Sequence, residues 1–147
     1  MRTFVLDASV AVKWAMPSAS EPLTEESLRL LRRYTGGEID FLVPDIFWAE
    51  VGNVLWKGIR QRRWRQTEAE AFLSGVKARN FPTTSSWTLL SDALTIAVAY
   101  DRAVDDSLYV ALAIQAKTEL ITADERMANA LAAHLPVKWL GTFEIMA

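Results

Sequence analysis

The sequence predicts an α/β fold built on a central parallel sheet, and two observations carry that expectation. Short runs of strand-forming residues alternate with longer helical stretches, in the order strand, helices, strand, helices, strand, helix, strand. Such alternation favours a parallel sheet covered by helices on both faces, with right-handed crossovers. In addition, the runs Phe4-Val5-Leu6 and Glu119-Leu-Ile-Thr122 each lead into an acid, Asp7 and Asp124. Ligands of open α/β sheets bind outside the carboxyl ends of the strands, so acids there hold chemical rather than structural positions.

The chain is organised around its first ten residues, where the strand Phe4–Leu6 ends in Asp7 and small residues follow. A short helix is expected over Ser9–Met16, capped by Ser9 and broken by Pro17 and the Ser/Ala stretch. The next helix runs from about Glu25 to Tyr34, with Thr24 as N-cap, Leu28 and Leu31 on one face and Gly36-Gly37 as the stop. Its arginines, Arg29, Arg32 and Arg33, gather towards the C-terminal end, where the helix dipole and water suit them better than RNA contact.

A second strand, Asp40–Pro44, is closed by proline, and Asp45 is expected to cap the following helix, Ile46–Trp56. That helix is nearly all apolar, interrupted only by Glu50 and Asn53, which share a face. A lone ionised glutamate in a buried helix costs on the order of several kcal/mol in desolvation, unless a cation or a water-filled cleft offsets it.

From Lys57 to Arg65 the character becomes basic and aromatic: Lys57, Arg60, Arg62, Arg63 and Arg65, interleaved with Trp56 and Trp64. Two readings stand level. The stretch suits phosphate contact and base stacking, and equally a solvated helix end with its tryptophans turned into the core. Thr67-Glu-Ala-Glu70 has the form of a capping box opening a helix to about Ala78.

Asn80–Thr84 reads as extended or looped, and Ser86–Tyr100 as a strongly apolar helix with Asp92 facing solvent. Asp105 and Asp106 precede the alanine-rich helix that runs to Ile114, at the positive end that stabilises acids and also binds metal or phosphate groups. Asp124 repeats the arrangement at Asp7; read structurally, it caps a helix from Glu125 to about Leu135. Val137–Leu140 closes the sheet as its last strand.

Composition narrows the chemistry. With 147 residues, 51% of them hydrophobic, residues 1–147 are expected to form a single domain. No apolar run approaches a membrane span and no signal-peptide pattern opens the chain, so a soluble, cytoplasmic protein without membrane contact is expected. The absence of cysteine removes disulfides, thiolate nucleophiles and Cys-ligated metals. His134, the single histidine, lies near the end of an alanine-rich helix and reads as a surface residue. A net charge of −2 argues against coating nucleic acid by overall attraction but leaves room for a local basic face.

Asp7 and Asp124 at strand tips, Asp106 at a helix start and Glu50 in the first turns of a buried helix can converge at one sheet edge. Carboxylates without His or Cys make a hard, all-oxygen site that selects Mg²⁺ or Mn²⁺. Like charges held close raise one another's pKa, so the cluster implies bound cations. Metal-dependent phosphodiester hydrolysis is the leading inference from the residues, although aspartates at strand tips also serve phosphotransferases.

The phrases Val5-Leu-Asp-Ala-Ser9, Glu50-Val-Gly-Asn-Val-Leu55, Asp106-Ser-Leu-Tyr-Val-Ala-Leu-Ala113 and Leu120-Ile-Thr-Ala-Asp-Glu-Arg126 resemble the four signature blocks of the PIN-domain ribonucleases, specifically VapC-type toxins. The match spans almost the whole chain in order and spacing. The resemblance implies a three-layer α/β/α PIN fold. It also implies a Mg²⁺-dependent endoribonuclease acting on RNA, held inactive by a cognate antitoxin whose segment lies in a groove near the active site, and a homodimer. Carried over by motif, Asp7, Glu50, Asp106 and Asp124 are the acidic metal-binding residues. Asp7 and Asp106 are the first choices for direct ligands, with Glu50 and Asp124 acting through water. Ser9, Asn53 and Thr122 would orient ligands or water.

One departure is Asp105, which stands where similar sequences often carry an aromatic residue; the spacing to Tyr109 favours Asp106 as the third acid, with Asp105 as the fallback. Two further readings compete. A PIN-like module that binds RNA or a protein without catalysis would usually have lost acids, and all are present. A phosphatase with Asp7 as nucleophile wants a second acid two residues on, where Ser9 stands. Trp14, Leu28 and Trp48 are expected in the core.

Overall fold

The middle of the molecule is β1 (Arg2–Leu6), whose last residues, Val5 and Leu6, are fully buried. A strand covered on both faces reads as a continuous apolar run rather than an alternating one, which is what Phe4-Val5-Leu6 supplies. The computed structural model describes residues 2–15 and 21–146.

β1 leads into a single helical turn, α1 (Ala8–Ala11), and a 3₁₀ turn at Val12–Trp14. α2 (Thr24–Thr35), β2 (Ile39–Pro44), α3 (Ile46–Arg60), α4 (Gln66–Ala78) and the two-residue β3 (Thr83–Thr84) follow. α5 (Ser86–Tyr100), α6 (Val104–Gln115), β4 (Leu120–Thr122), α7 (Glu125–Leu131), β5 (Val137–Trp139) and α8 (Leu140–Met146) complete the described chain. The strands form one parallel sheet in the order β3-β2-β1-β4-β5, the middle layer of a three-layer α/β/α fold.

This order positions the site. The chain steps outward from β1 to β2 and β3, then returns to add β4 on the opposite side of β1. The reversal makes the carboxyl ends of β1 and β4 the switch point of the sheet, the place where open α/β sheets bind ligands. Register across it is set by Val5↔Leu120 and Leu6↔Ile121, so that Asp7 and Thr122 emerge side by side. Below the switch point the core is aromatic: Phe81 meets Phe41 and Phe47 edge-on, at 5.8 and 6.1 Å between ring centres. Trp14 is buried, while Leu28 and Trp48 are half-buried against the same core.

Several boundaries differ from the sequence reading, each for a local reason. Ser9 does not cap α1, because its hydroxyl donates to Asp7; Asp7 holds the N-cap position. Met16 and the Pro17 break lie outside the described residues. α2 begins at Thr24 rather than after it, with Leu23 in the left-handed region (φ 64°), and it buries Thr24, Ser27 and Leu30 more deeply than Leu28 and Leu31. Asp45 makes no cap bond to α3; its carboxylate accepts from the backbone N–H (2.9 Å) and the hydroxyl of Ser86, which hold its pKa down. α3 runs a turn further than expected, to Arg60. The N-terminal bond of α4 joins Arg65 N–H to Glu68 Oε1 at 2.8 Å, so Thr67 and Glu70 lie inside the helix. Thr83–Thr84, read from the sequence as part of an extended or looped segment, forms an edge strand paired with Val43 and Pro44. α7 stops at Leu131, and Leu140 starts α8 instead of ending β5.

The arginines of α2, expected to face the helix dipole and water, lie beside acids: Arg29 and Arg32 are 3.9 and 3.7 Å from Glu25, and Arg33 is 3.2 Å from Glu38. Asp92 and His134 are exposed. Among the described residues no helix is long and apolar enough to cross a membrane.

The C-terminal end of α3 depends on one glycine. Trp64 folds back over the helix and its indole N–H donates to the carbonyl of Leu55 at 2.9 Å. The ring then occupies the space beside Gly58, where an added Cβ would stand 2.1 Å from Cε2 of Trp64. Alanine would gain about 1 kcal/mol in helix propensity but must displace the indole, and such overpacking costs about 1–3 kcal/mol. Gly58→Ala is therefore expected to lower stability by about 1 kcal/mol net and to shift Trp64 fluorescence. Urea unfolding followed by fluorescence measures both, and unchanged values would show that the turn is plastic.

Candidate functional site

Asp7 is the innermost acid, 9% exposed at the tip of β1. Its Oδ2 accepts two hydroxyl hydrogen bonds, from Thr122 Oγ1 at 2.6 Å and from Ser9 Oγ at 2.8 Å. Both hydroxyls are held from behind, since the backbone N–H of Asp124 donates to Thr122 Oγ1 and that of Ala123 donates to Ser9 Oγ, each at 3.0 Å. Thr122 is fully buried at the end of β4. Burial raises the pKa of Asp7, the Thr122 and Ser9 hydrogen bonds pull it back, and the charge of Asp106 adds a further upward push.

Glu50 reaches the same region from α3. It is half-buried, and the hydroxyl of Tyr109 donates to its Oε1 at 2.5 Å. Its pKa is pushed up to about 7, chiefly by burial; the Tyr109 hydrogen bond opposes the shift, and the charges of Asp7, Asp105 and Asp106 reinforce it. Glu50 keeps access to solvent, but among the described residues no Lys or Arg pairs with it or with Asp7.

Asp106, in the first turn of α6, is half-buried and paired with Arg102, whose Nη2 lies 3.1 Å from Oδ2. Burial raises its pKa; the Arg102 hydrogen bond lowers it, and the charges of Asp105 and Asp124 raise it. The Nε of Arg102 is buried without a hydrogen-bond partner among the described residues. Asp105, next door, is exposed. Asp124 is exposed and caps α7, its Oδ1 accepting the backbone N–H of Met127 at 3.1 Å.

Of the residues singled out in the sequence, Asp7, Ser9 and Thr122 therefore share one hydrogen-bond network, and Glu50, Asp106 and Asp124 act on it or on one another through charge. Asn53 is exposed and takes no part in that network. Lys57, Arg60, Arg62, Arg63 and Arg65 are all exposed at the far end of α3 and in the turn after it. The tryptophans divide the two readings of this stretch: Trp64 is turned inward, while Trp56 is 49% exposed beneath the Arg60 guanidinium, 4.7 Å from its ring centre. At a rise of about 1.5 Å per residue, Arg60 stands about 15 Å along α3 from Glu50.

Two residues of this region were missed. In the sequence Tyr109 served only as a spacing mark for the third acid, and Arg102 was not singled out. The available signal was spacing: Tyr109 lies three residues after Asp106 on the same face of the helix, and Arg102 lies four residues before it, just ahead of the helix start.

The donor set is all oxygen, which suits a hard divalent cation. The charge balance suits one too, since Asp7 and Glu50 are desolvated carboxylates without a cationic partner among the described residues. Among the described residues, however, no three of Asp, Glu and His stand close enough to enclose an ion with the side chains as they are.

Residues 4–131 match the model of the PIN domain family. No curated protein matches the chain. Among solved structures, a protein of Pyrobaculum aerophilum is similar over 98% of this chain and 88% of its own, at 19% identity and a TM-score of 0.72. A toxin-antitoxin complex from Klebsiella pneumoniae is similar over 92% and 95%, at 16% identity and a TM-score of 0.61. VapBC2 from Rickettsia felis, bound to a DNA fragment from the promoter, is similar over 95% and 98%, at 14% identity and a TM-score of 0.64. At these identities the likeness is one of fold.

The raised acids make a pH prediction. A carboxyl whose pKa is higher in the folded than in the unfolded chain binds more protons when folded, so stability falls as pH rises through the interval between the two values. For Glu50 that interval runs from its ordinary 4.5 to about 7. Chelator-treated protein is expected to lose stability in urea between pH 5 and pH 7, and Glu50→Gln is expected to flatten that slope. A variant with the same slope would remove Glu50 as its source.

Proposed function

Because this chain belongs to the PIN domain family, we propose that it is a Mg²⁺- or Mn²⁺-dependent endoribonuclease, the toxin of a VapBC-type toxin-antitoxin pair. The observation that carries this reading is the Asp7 carboxylate, buried at the switch point of the sheet within the electrostatic reach of Glu50 and Asp106 and with no cation among the described residues to neutralise it.

In this reading Asp7 and Asp106 hold the metal directly, with Glu50 and Asp124 acting through water. The bound cation would supply an activated water and neutralise charge on the phosphoryl group. The chain's own residues do the positioning. Ser9 and Thr122 hold Asp7 through Oδ2, and Arg102 holds Asp106. Asn53 is left as an exposed polar group able to reach a ligand only from solvent. Lys57, Arg60, Arg62, Arg63 and Arg65 would take the RNA backbone, with the exposed Trp56 available for stacking.

Two surfaces support partners. α3 and α4 flank an open, mainly apolar groove of about 360 Å³ lined by Leu55, Trp56, Ile59, Ala69 and Leu73, with Gln66 and Glu70 as its polar residues. It suits an amphipathic antitoxin segment, and two of the similar structures carry toxin-antitoxin or VapBC names. The outer face of α5 exposes Trp87, Leu90, Leu94 and Val98 at helical spacing. The helix carries Asp92 as its only charged residue. A second copy could cover the stripe without burying like charges, and this is the face we assign to a homodimer. The reading sets the protein in the cytoplasm, beside its RNA substrate.

Asp7→Asn is expected to reduce Mn²⁺-dependent cleavage of RNA to background while leaving the melting temperature nearly unchanged, because the amide oxygen can still accept from Thr122 and Ser9. Cleavage by pure Asp7→Asn protein would overturn the site. Wild-type protein that neither cleaves RNA nor releases heat with Mn²⁺ would return the non-catalytic binding module. For the dimer, light scattering should show Leu94→Asp as a monomer and the wild type at twice its mass; a monomeric wild type removes the dimer, and a dimeric Leu94→Asp removes this face.

A further inference from the structure

We propose that Tyr109 is the positioning residue for Glu50: its hydroxyl, fixed between the tip of β1 and α3, holds the Glu50 carboxylate facing Asp7. The inference rests on the metal reading above and assigns a role to a residue outside the acidic set.

The geometry makes the case. Tyr109 is 1% exposed, so packing within α6 and against the sheet fixes its ring and leaves the phenolic oxygen at a defined point. At that point it donates to Glu50 Oε1 at 2.5 Å and accepts the backbone N–H of Ala8 at 3.4 Å. Ala8 directly follows Asp7, and Tyr109 lies on the face of α6 that carries Asp106. One oxygen therefore ties together the three elements that supply Asp7, Glu50 and Asp106.

Something has to do so. The charges of Asp7, Asp105 and Asp106 all repel Glu50, and a half-buried glutamate with free torsions would relieve that repulsion by swinging towards water. The Tyr109 hydroxyl is the only hydrogen-bond partner of that carboxylate among the described residues, and it points the side chain back into the cluster. A buried phenol satisfied for stability alone would make the same bond but would leave ion binding indifferent to its loss, which is how the two roles separate.

Calorimetric titration with Mn²⁺ alone tests the role on four proteins: wild type, Tyr109→Phe, Glu50→Gln and the double variant. Groups that orient metal ligands typically govern about 10–100-fold in affinity. Tyr109→Phe is expected to weaken Mn²⁺ binding about tenfold in the wild-type background and to have no further effect in the Glu50→Gln background. Equal affinity of wild type and Tyr109→Phe overturns the role, as does an equal loss in both backgrounds, which would mark Tyr109 as packing. A wild type that binds no Mn²⁺ removes the metal reading and this role with it, whereas binding unaffected by Tyr109→Phe removes the role alone. Circular dichroism checks folding. Should Tyr109→Phe not fold, Glu50→Asp keeps the charge but withdraws it from the hydroxyl, with the same tenfold loss expected; unchanged affinity would overturn the proposal.

Discussion

The pair of hydroxyl hydrogen bonds on Asp7 Oδ2 is the interaction on which the rest of the structure depends. A carboxylate buried at the tip of the central strand loses hydration, and the donors that replace it come from Thr122 on the neighbouring strand and Ser9 on the turn that follows. Neither donor is free to move, because the backbone N–H groups of Asp124 and Ala123 hold them in turn. The pairing of Leu6 with Ile121 must therefore be kept. A slip of one residue would turn Thr122 to the opposite face of the sheet and leave Asp7 buried without its strongest donor. Sheet register and site geometry enforce each other.

The other acids coexist by separate local solutions. Glu50 has a buried phenol, Asp106 a guanidinium, and Asp124 the N-terminus of α7. No donor side chain is shared between them, so each carboxylate keeps its own anchor while feeling the charge of the others. Among the described residues only Asp106 has a formal cation. The cluster is consequently underneutralised at its buried end, around Asp7 and Glu50, and only partly neutralised at its outer end, where Asp105, Asp106 and Asp124 share Arg102.

How much of this was legible follows from which signals are local. α5 was readable to the residue, Ser86 to Tyr100, because a capping serine and a long apolar run define it. The acids at strand tips were readable because a strand ending abruptly in Asp needs no tertiary information. β3 was not, since two threonines after Pro82 become a strand only by pairing with Val43 and Pro44. Ser9 was mistaken for a cap because its hydroxyl donates instead to Asp7, a carboxylate that also draws in Thr122 from a strand more than a hundred residues away. Tyr109 was hidden for a related reason: inside an alanine-rich helix an aromatic residue signals packing, and nothing short of the fold shows that its hydroxyl meets Glu50.

The basic stretch shows where a sequence signal is ambiguous in principle. Lys57 and Arg60 occupy the last turn of α3, and Glu50 stands nearer its start. That distribution complements the helix dipole, with the acid towards the positive end and the bases at the negative end, and it would arise in a helix with no ligand at all. The same distribution lays a cationic surface about 15 Å from an acidic cluster along one rigid rod, which is what a polyanion held at both points would require. Composition cannot separate the two, because both demand the same residues in the same order. The side chains do separate them in part: Trp64 is spent on packing against Gly58 and Leu55, which accounts for one aromatic structurally, whereas Trp56 remains half exposed under Arg60 and borders the groove between α3 and α4. The case for a ligand-facing surface at this end of α3 thus rests on Trp56 and Arg60 rather than on the basic run as a whole.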